Sequence, residues 1–235
     1  MNELVKYDHK LNKLDFSGLS KTNLDMFMTI LSRAKNIADK EVIFSYKEIK
    51  DLAKLEKHIT TAELWNQLED MKDGLYNVSC DIFFVKENGK RESHSFHVFE
   101  RWDNYEDEKM LVLTIAPSFQ FLLNDFKRFE EFKLIEFVSL KSIYSKNLYR
   151  MLMDFSDVGT FTFHSLAQLK KSLAIPEDTP GKKIKPILDK CIKEFEKMGL
   201  FEGIAFEIAK DESVQGKPIK AIRFTWKPIK KRRHE

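Results

Sequence analysis

The chain has 235 residues, 40 Lys+Arg against 37 Asp+Glu, and 2 Cys. That length suits one large domain or two of about 100–120 residues, and 43% hydrophobic with 33% charged residues is a globular composition, not a disordered one. Two cysteines exclude a disulfide scaffold or a Cys-clustered zinc site. No apolar run is long enough for a membrane span. The polar Met1 to Lys10 segment offers no secretory signal, so a cytoplasmic location is expected.

The net charge of +3 hides two unlike halves. Residues 1–138 carry 20 Lys+Arg and 25 Asp+Glu, a net of −5; residues 139–235 carry 20 and 12, a net of +8. A basic half points to a polyanion partner, and a Lys-rich solubilising surface explains it equally well by charge alone.

In chain order, Leu24, Phe27, Met28, Leu31 and Ala34 have the spacing of an amphipathic helix over Thr22 to Ile37. Glu41 to Phe44 reads as a short strand. Ser45 with Glu48 is a capping box that opens a second helix. A third helix, capped by Thr60 or Thr61, carries the stripe Leu64, Leu68, Met71 and is expected to stop at Gly74. A strand Val78 to Val85 and the turn Glu87-Asn88-Gly89-Lys90 predict a hairpin, the wing of this unit, with further strands near Ser95 to Phe99 and Met110 to Ile115.

The second half repeats the order. A helix over Leu140 to Phe155 puts Ile143, Leu148, Leu152 and Phe155 inward, and Thr160 to Phe163 is a strand. Ser165 with Gln168 opens the next helix. After Pro176 and Pro180-Gly181 comes a helix over Lys182 to Met198, with Pro186 in its first turn, stopping at Gly199. Ile204 to Ala209 and Ala221 to Trp226 flank a turn at Gln215-Gly216. Ser45 and Ser165 are 120 residues apart, Gly74 and Gly199 125. Each half therefore reads as a helix-turn-helix with a β-hairpin wing, a winged helix. The fold class is α+β: two tandem winged-helix domains, residues 1–124 and 125–235. The Phe-rich joint from Pro117 to Phe137 (Phe121, Phe126, Phe129, Phe132, Phe137) should pack, where a flexible linker would be Gly- or Ser-rich.

No arrangement for catalysis stands out. His94 and His97, three apart on a strand, point to opposite faces. Tyr144 and Tyr149 fit helix packing better than nucleophilic roles. Cys80 and Cys191 fall at apolar positions. No Gly-rich phosphate loop is present. No enzyme activity, metal or cofactor is implied, and a strand-nicking nuclease is the disfavoured alternative.

A binding site is legible on the third helix of the second half. With Ile184, Leu188, Cys191 and Phe195 inward, its outer side holds Lys182, Asp189, Lys193 and Lys197, flanked by Lys183, Lys185 and Lys190. In a winged helix this element enters the major groove. The wing adds Lys210, Lys217 and Lys220, and the tail adds Lys227, Lys230, Lys231, Arg232 and Arg233. The matching helix of the first half is acidic, although Asn66 and Gln67 are of the type that pairs with adenine. The third helix of the second half carries Lys and no Arg. Lys is a compact point charge, so part of this set is expected to contact phosphate only.

The run Phe137-Val-Ser-Leu-Lys-Ser-Ile-Tyr-Ser-Lys-Asn-Leu-Tyr-Arg150 resembles the signature of the RepB-type initiators of iteron-containing theta-replicating plasmids. Asn2 to Tyr7, Ile184-Lys-Pro186 and Arg223-Phe-Thr-Trp226 are similar too. The resemblance implies pseudo-two-fold symmetry between the domains and binding of directly repeated origin sequences, the iterons. It also implies origin opening, recruitment of host replicative helicase and initiator proteins, and a homodimer in equilibrium with monomer that represses its own gene. It assigns dimerisation and a secondary DNA contact to the first domain and the main DNA contact to the second. A winged-helix repressor without initiator activity is the alternative.

Overall fold

The computed structural model describes residues 3–14, 16, 18–34, 41–56, 58–76, 82–85, 89–94, 97–124 and 129–229. The chain divides into two compact units, Met1–Ser139 and Leu140–Glu235.

The first unit opens with β1 (Leu4–Asp8) and a short 3-10 turn, followed by α1 (Lys21–Ala34). The expected stripe of α1 is buried, and so are Met26 and Ile30 on its other side, together with the polar Asp25 and Thr29. Lys21 pairs with Asp25 Oδ2 at 3.1 Å and Thr29 Oγ1 donates to the Asp25 carbonyl at 2.9 Å, so these two atoms are bonded within the helix. After β2 (Val42–Ser45), the Ser45–Glu48 capping box forms in full and starts α2 (Tyr46–Leu52). Thr60, not Thr61, caps α3 (Thr61–Tyr76), in a reciprocal pair with Glu63.

Three expectations for this unit are corrected. First, Gly74 does not end α3, which runs on to Tyr76. A Cβ on Gly74 would meet Leu19 Cδ2 at 2.8 Å, so the glycine permits close packing and does not turn the chain. Second, the hairpin β3 (Ile82–Val85) and β4 (Arg91–His94) forms, but as a separate two-stranded sheet. Its turn residues 86–88, and Cys80, lie outside the described residues. The wing that joins β2 is β5 (Phe99–Tyr105) with β6 (Met110–Ile115), in the order β2-β6-β5. An Asn-Gly turn makes a hairpin locally, whereas membership of the core sheet needs an apolar face. β6 supplies that face with Leu111, Leu113 and Ile115, all buried. Third, the boundary does not fall at 124. α4 (Pro117–Asn124) packs on β1, and β7 (Phe129–Lys133) pairs with β1 along its whole length. Phe132 sits edge-on to Tyr7 at 5.9 Å and stacks on Phe137 at 5.6 Å. The described part of the aromatic joint is thus a wall of the first unit, which ends after α5 (Leu134–Ser139); Phe126 and the side chain of Phe129 lie outside the described residues.

The second unit comprises α6 (Ile143–Asp154), β8 (Thr160–Phe163), α7 (Leu166–Leu173), α8 (Ile184–Met198), β9 (Ala205–Lys210) and β10 (Ile219–Thr225). Leu148 and Leu152 of α6 are buried as expected, while Ile143 and Phe155 at its ends are half-buried. Ser165 Oγ accepts from Gln168 N at 3.0 Å, and the Gln168 side chain accepts from His164 N, one residue earlier than in a strict capping box. Pro186 lies in the first turn of α8, and Gly199 at φ 68° caps its end in the left-handed conformation. The strand order β8-β10-β9 repeats that of β2-β6-β5. Tyr149, Phe195, Phe201 and Trp226 form a chain of rings 5.5–6.4 Å apart through the core.

Candidate nucleic-acid interface

In a winged helix the third helix and the wing are the elements that meet a duplex. α3 is bonded to its own wing. Glu69 accepts from Trp102 Nε1 at 3.2 Å, from Asn104 Nδ2 at 2.9 Å and from Lys72. Asn104 Oδ1 takes the Tyr46 hydroxyl at 2.5 Å. Burial, followed by the fields of Glu106 and Glu69, pushes the Tyr46 phenol up to about 12. Asn66 is exposed on α3, but Gln67 is half-buried with its Oε1 inside, so the structure does not present the two together.

The second unit is arranged differently. Lys182 and Lys183 are exposed in the 3-10 turn that leads into α8, and Lys183 occupies the N-cap without a side-chain capping bond. The first turn holds no acid. This is an adverse design for an isolated helix, since the positive end of the dipole is met by cations. Lys190 and Lys193 continue the exposed side, opposite buried Leu188, Cys191 and Phe195. Among the described residues, no carboxylate lies within ion-pair distance of Lys182, Lys183, Lys190 or Lys193.

Between α8 and the β9–β10 hairpin lies a cleft of about 790 Å³ with Lys182, Lys185, Lys210 and Lys217 at its rim. Its floor is apolar, with half-buried Phe206 and Ile208 and buried Ile192. Lys185 bonds both carboxylate oxygens of Asp189, and its ammonium is 5.8 Å from the Phe206 ring centre. Lys217, at φ 43°, pairs with Glu212 at 2.5 Å, and Lys220 is exposed on β10. Lys227 pairs with Glu202 at 3.0 Å; Lys230, Lys231, Arg232 and Arg233 lie outside the described residues. Phe206 was not among the expected site residues. Its alternation with Ile208 marks it as core, and only the partial cover by α8 leaves it at the cleft.

The groups that invited chemistry are placed as follows. Tyr149 is a core aromatic and Tyr144 is half-buried at the start of α6. Cys191 is buried, which pushes its thiol up to about 11. His97 is exposed, and the side chain of His94 lies outside the described residues. Among the described residues no group of His, Cys, Asp and Glu could hold a metal ion, and no helix is long and apolar enough to cross a membrane.

The model of the family "Initiator Replication protein, WH1" matches residues 4–153. The chain belongs to this replication initiator family. It is similar to the probable replication protein rep of Bifidobacterium longum, 25% identical over 237 residues that cover 94% of this chain and 78% of the relative. It shares its fold with the Pi initiator protein, solved in complex with iteron DNA, at TM-score 0.70 and 17% identity over 96% of this chain and 97% of that one. The family match spans the first unit and α6. The structural likeness extends over both units of the initiator and supports the winged-helix reading of the second.

Proposed function

We propose that this initiator starts plasmid replication in the cytoplasm by binding directly repeated duplex DNA through α8 and the wing of its second unit. The observation that carries this reading is the N-terminal part of α8: Lys182 and Lys183 stand exposed at its start, where neither a side-chain cap nor an acid meets the dipole, Lys190 and Lys193 follow on the exposed side, and an open cleft lies beside Lys182. Such an end is favourable once an anion arrives, because helix dipole and cations then act in one direction. The Pi initiator, similar in fold over its whole length, was solved on iteron DNA, which supports the same class of partner here.

In this reading the protein performs no hydrolysis. Binding deforms A·T-rich origin DNA, whose flexible steps yield at least cost, and host helicase and initiator proteins follow. The acidic first unit serves homodimerisation and a secondary DNA contact, and the dimer represses its own gene. Two experiments test the reading. Binding to direct repeats should weaken steeply across a salt series, with a log–log slope of about −0.9 per phosphate contacted; salt-independent binding refutes it. A plasmid that carries this gene with its flanking repeats should replicate in a host lacking any other initiator for it. Repression without replication would favour the repressor alternative.

A further inference from the structure

Lys185 and Asp189 stand one turn apart on α8 and are bonded twice, Nζ to Oδ1 at 3.1 Å and to Oδ2 at 2.9 Å. The same ammonium faces the Phe206 ring on β9, 5.8 Å from its centre. Both side chains border the cleft between α8 and the hairpin.

Helix stability does not account for this pair. With the lysine N-terminal to the acid, the order opposes the helix dipole, the poorer arrangement at i,i+4. The side chains are 66% and 40% exposed, where an ion pair contributes little. The acid also subtracts from the attraction for phosphate at a helix start that is otherwise bare of acid. It does constrain Lys185. A free lysine is a mobile point charge that follows any phosphate. Here the ammonium is forked onto both oxygens of one carboxylate and set against an aromatic face, which fixes the side from which its remaining donors point.

We infer that Asp189 is a positioning residue that turns Lys185 from a phosphate contact into an oriented donor for an acceptor on a base edge, guanine N7 or O6 or thymine O4. These are among the acceptors that the major groove presents; adenine N7 is another, but it stands beside an N–H donor that a lysine does not match. The inference rests on the reading of α8 as the DNA-facing helix. It supplies what an Arg-free helix otherwise lacks, a cation whose geometry discriminates between bases.

The full chain is used to enrich a duplex from a randomised pool. Binding of that duplex, and of a scrambled one of equal composition, is then measured across a salt series. The proteins compared are wild type, Asp189→Asn, Asp189→Glu and Glu207→Gln. Glu207 is exposed on β9, on the face of the sheet opposite Phe206, so its change alters the charge equally without touching the cleft. Asp189→Asn should bind the scrambled duplex more tightly, with a salt slope steeper by about 0.9, as one lysine is released to phosphate. Its preference for the enriched duplex should fall at least about five-fold. Asp189→Glu, which keeps a carboxylate at i+4, should retain most of the preference, and Glu207→Gln all of it. An unchanged preference in Asp189→Asn, or equal losses in Asp189→Asn and Glu207→Gln, overturns the inference. If wild type enriches no sequence, or if Lys182→Ala with Lys183→Ala binds as well as wild type, the DNA-facing reading of α8 fails first and the inference falls with it.

Discussion

Glu48 shows how a two-residue pattern becomes a measurable property. It accepts from the Ser45 N–H and hydroxyl, each at 2.9 Å, and from Arg33 at 2.9 Å. These bonds, the Ser45 backbone first, hold its carboxyl at about 2 against an ordinary 4.5. A folded value below the unfolded one gives stability that is fully present above pH ~4.5 and is lost as pH falls through ~2. The side chain is 43% exposed, so solvent screening keeps the effect to about 1 kcal/mol or less. Melting measured between pH 5 and pH 2.5 should show a smaller acid loss in Glu48→Gln than in wild type; identical pH profiles would contradict the bonding scheme. Gly159 is a second case. At φ 77°, a Cβ there would lie 2.7 Å from the Trp226 carbonyl and from Pro228 Cγ. Trp226 N donates to the Gly159 carbonyl at 2.9 Å, so the backbone of the C-terminal segment cannot move away freely. Gly159→Ala should cost about 2–4 kcal/mol, from left-handed strain plus the close approach. Urea unfolding followed by Trp226 fluorescence reads this directly.

At the scale of elements, α3 and α8 are the same helix of the same motif with opposite chemistry. α3 is bound to its wing through Glu69, Asn104 and Trp102, and shows acid where a duplex would lie. α8 leaves a cleft open and places lysines at its rim. Changing Lys182 and Lys183 together to alanine should therefore lower DNA affinity and flatten the salt slope by roughly 1.8, at about 0.9 per lost phosphate contact. Lys90→Ala, in the separate hairpin of the first unit, should leave the slope unchanged. A slope indifferent to the α8 lysines would move the interface elsewhere. The wing of the first unit shows the reverse lesson. Among the described residues, the strands β3 and β4 on either side of the strongest local turn signal pair only with each other, whereas the weaker-looking pair β5 and β6 became the wing because it carries the buried Leu111 and Leu113.

For the whole molecule, the decisive feature is where the chain divides. β7 returns to pair with β1, the Leu134 N–H extends the ladder to the Glu3 carbonyl at 2.9 Å, and the first unit closes only at Ser139. The tryptophans make this testable, since Trp65 and Trp102 report the first unit and Trp226 the second. Phe132 is buried, so Phe132→Ala should cost about 3–5 kcal/mol. In a Trp226→Phe background the loss should appear as an earlier denaturation midpoint in the Trp65 and Trp102 signal. If that signal does not move, and the shift appears instead in the Trp226 signal of a background with Trp65→Phe and Trp102→Phe, the aromatic segment belongs with the second unit.

Much of the fold was legible in the sequence. Helix periodicity, the Ser45 and Ser165 caps, Gly199, the position of Pro186 and the repeated order of elements are local, with reasons that lie within a few residues of each other. The charge difference between the halves, and the lysines at the start of α8, were legible for the same reason: composition survives folding. Three features depended on contacts distant in sequence. The boundary moved because a strand at one end of the unit pairs with a strand over a hundred residues later. Gly74 proved to be a packing contact with Leu19, not a helix stop. Of the lysines on α8, only Lys185 gained a defined direction, through Asp189 one turn away and Phe206 across the cleft. The sequence by itself determined which elements form and where positive charge gathers. The tertiary structure decided which strand closes a sheet and which cation is held, because both depend on the surface that a folded neighbour presents.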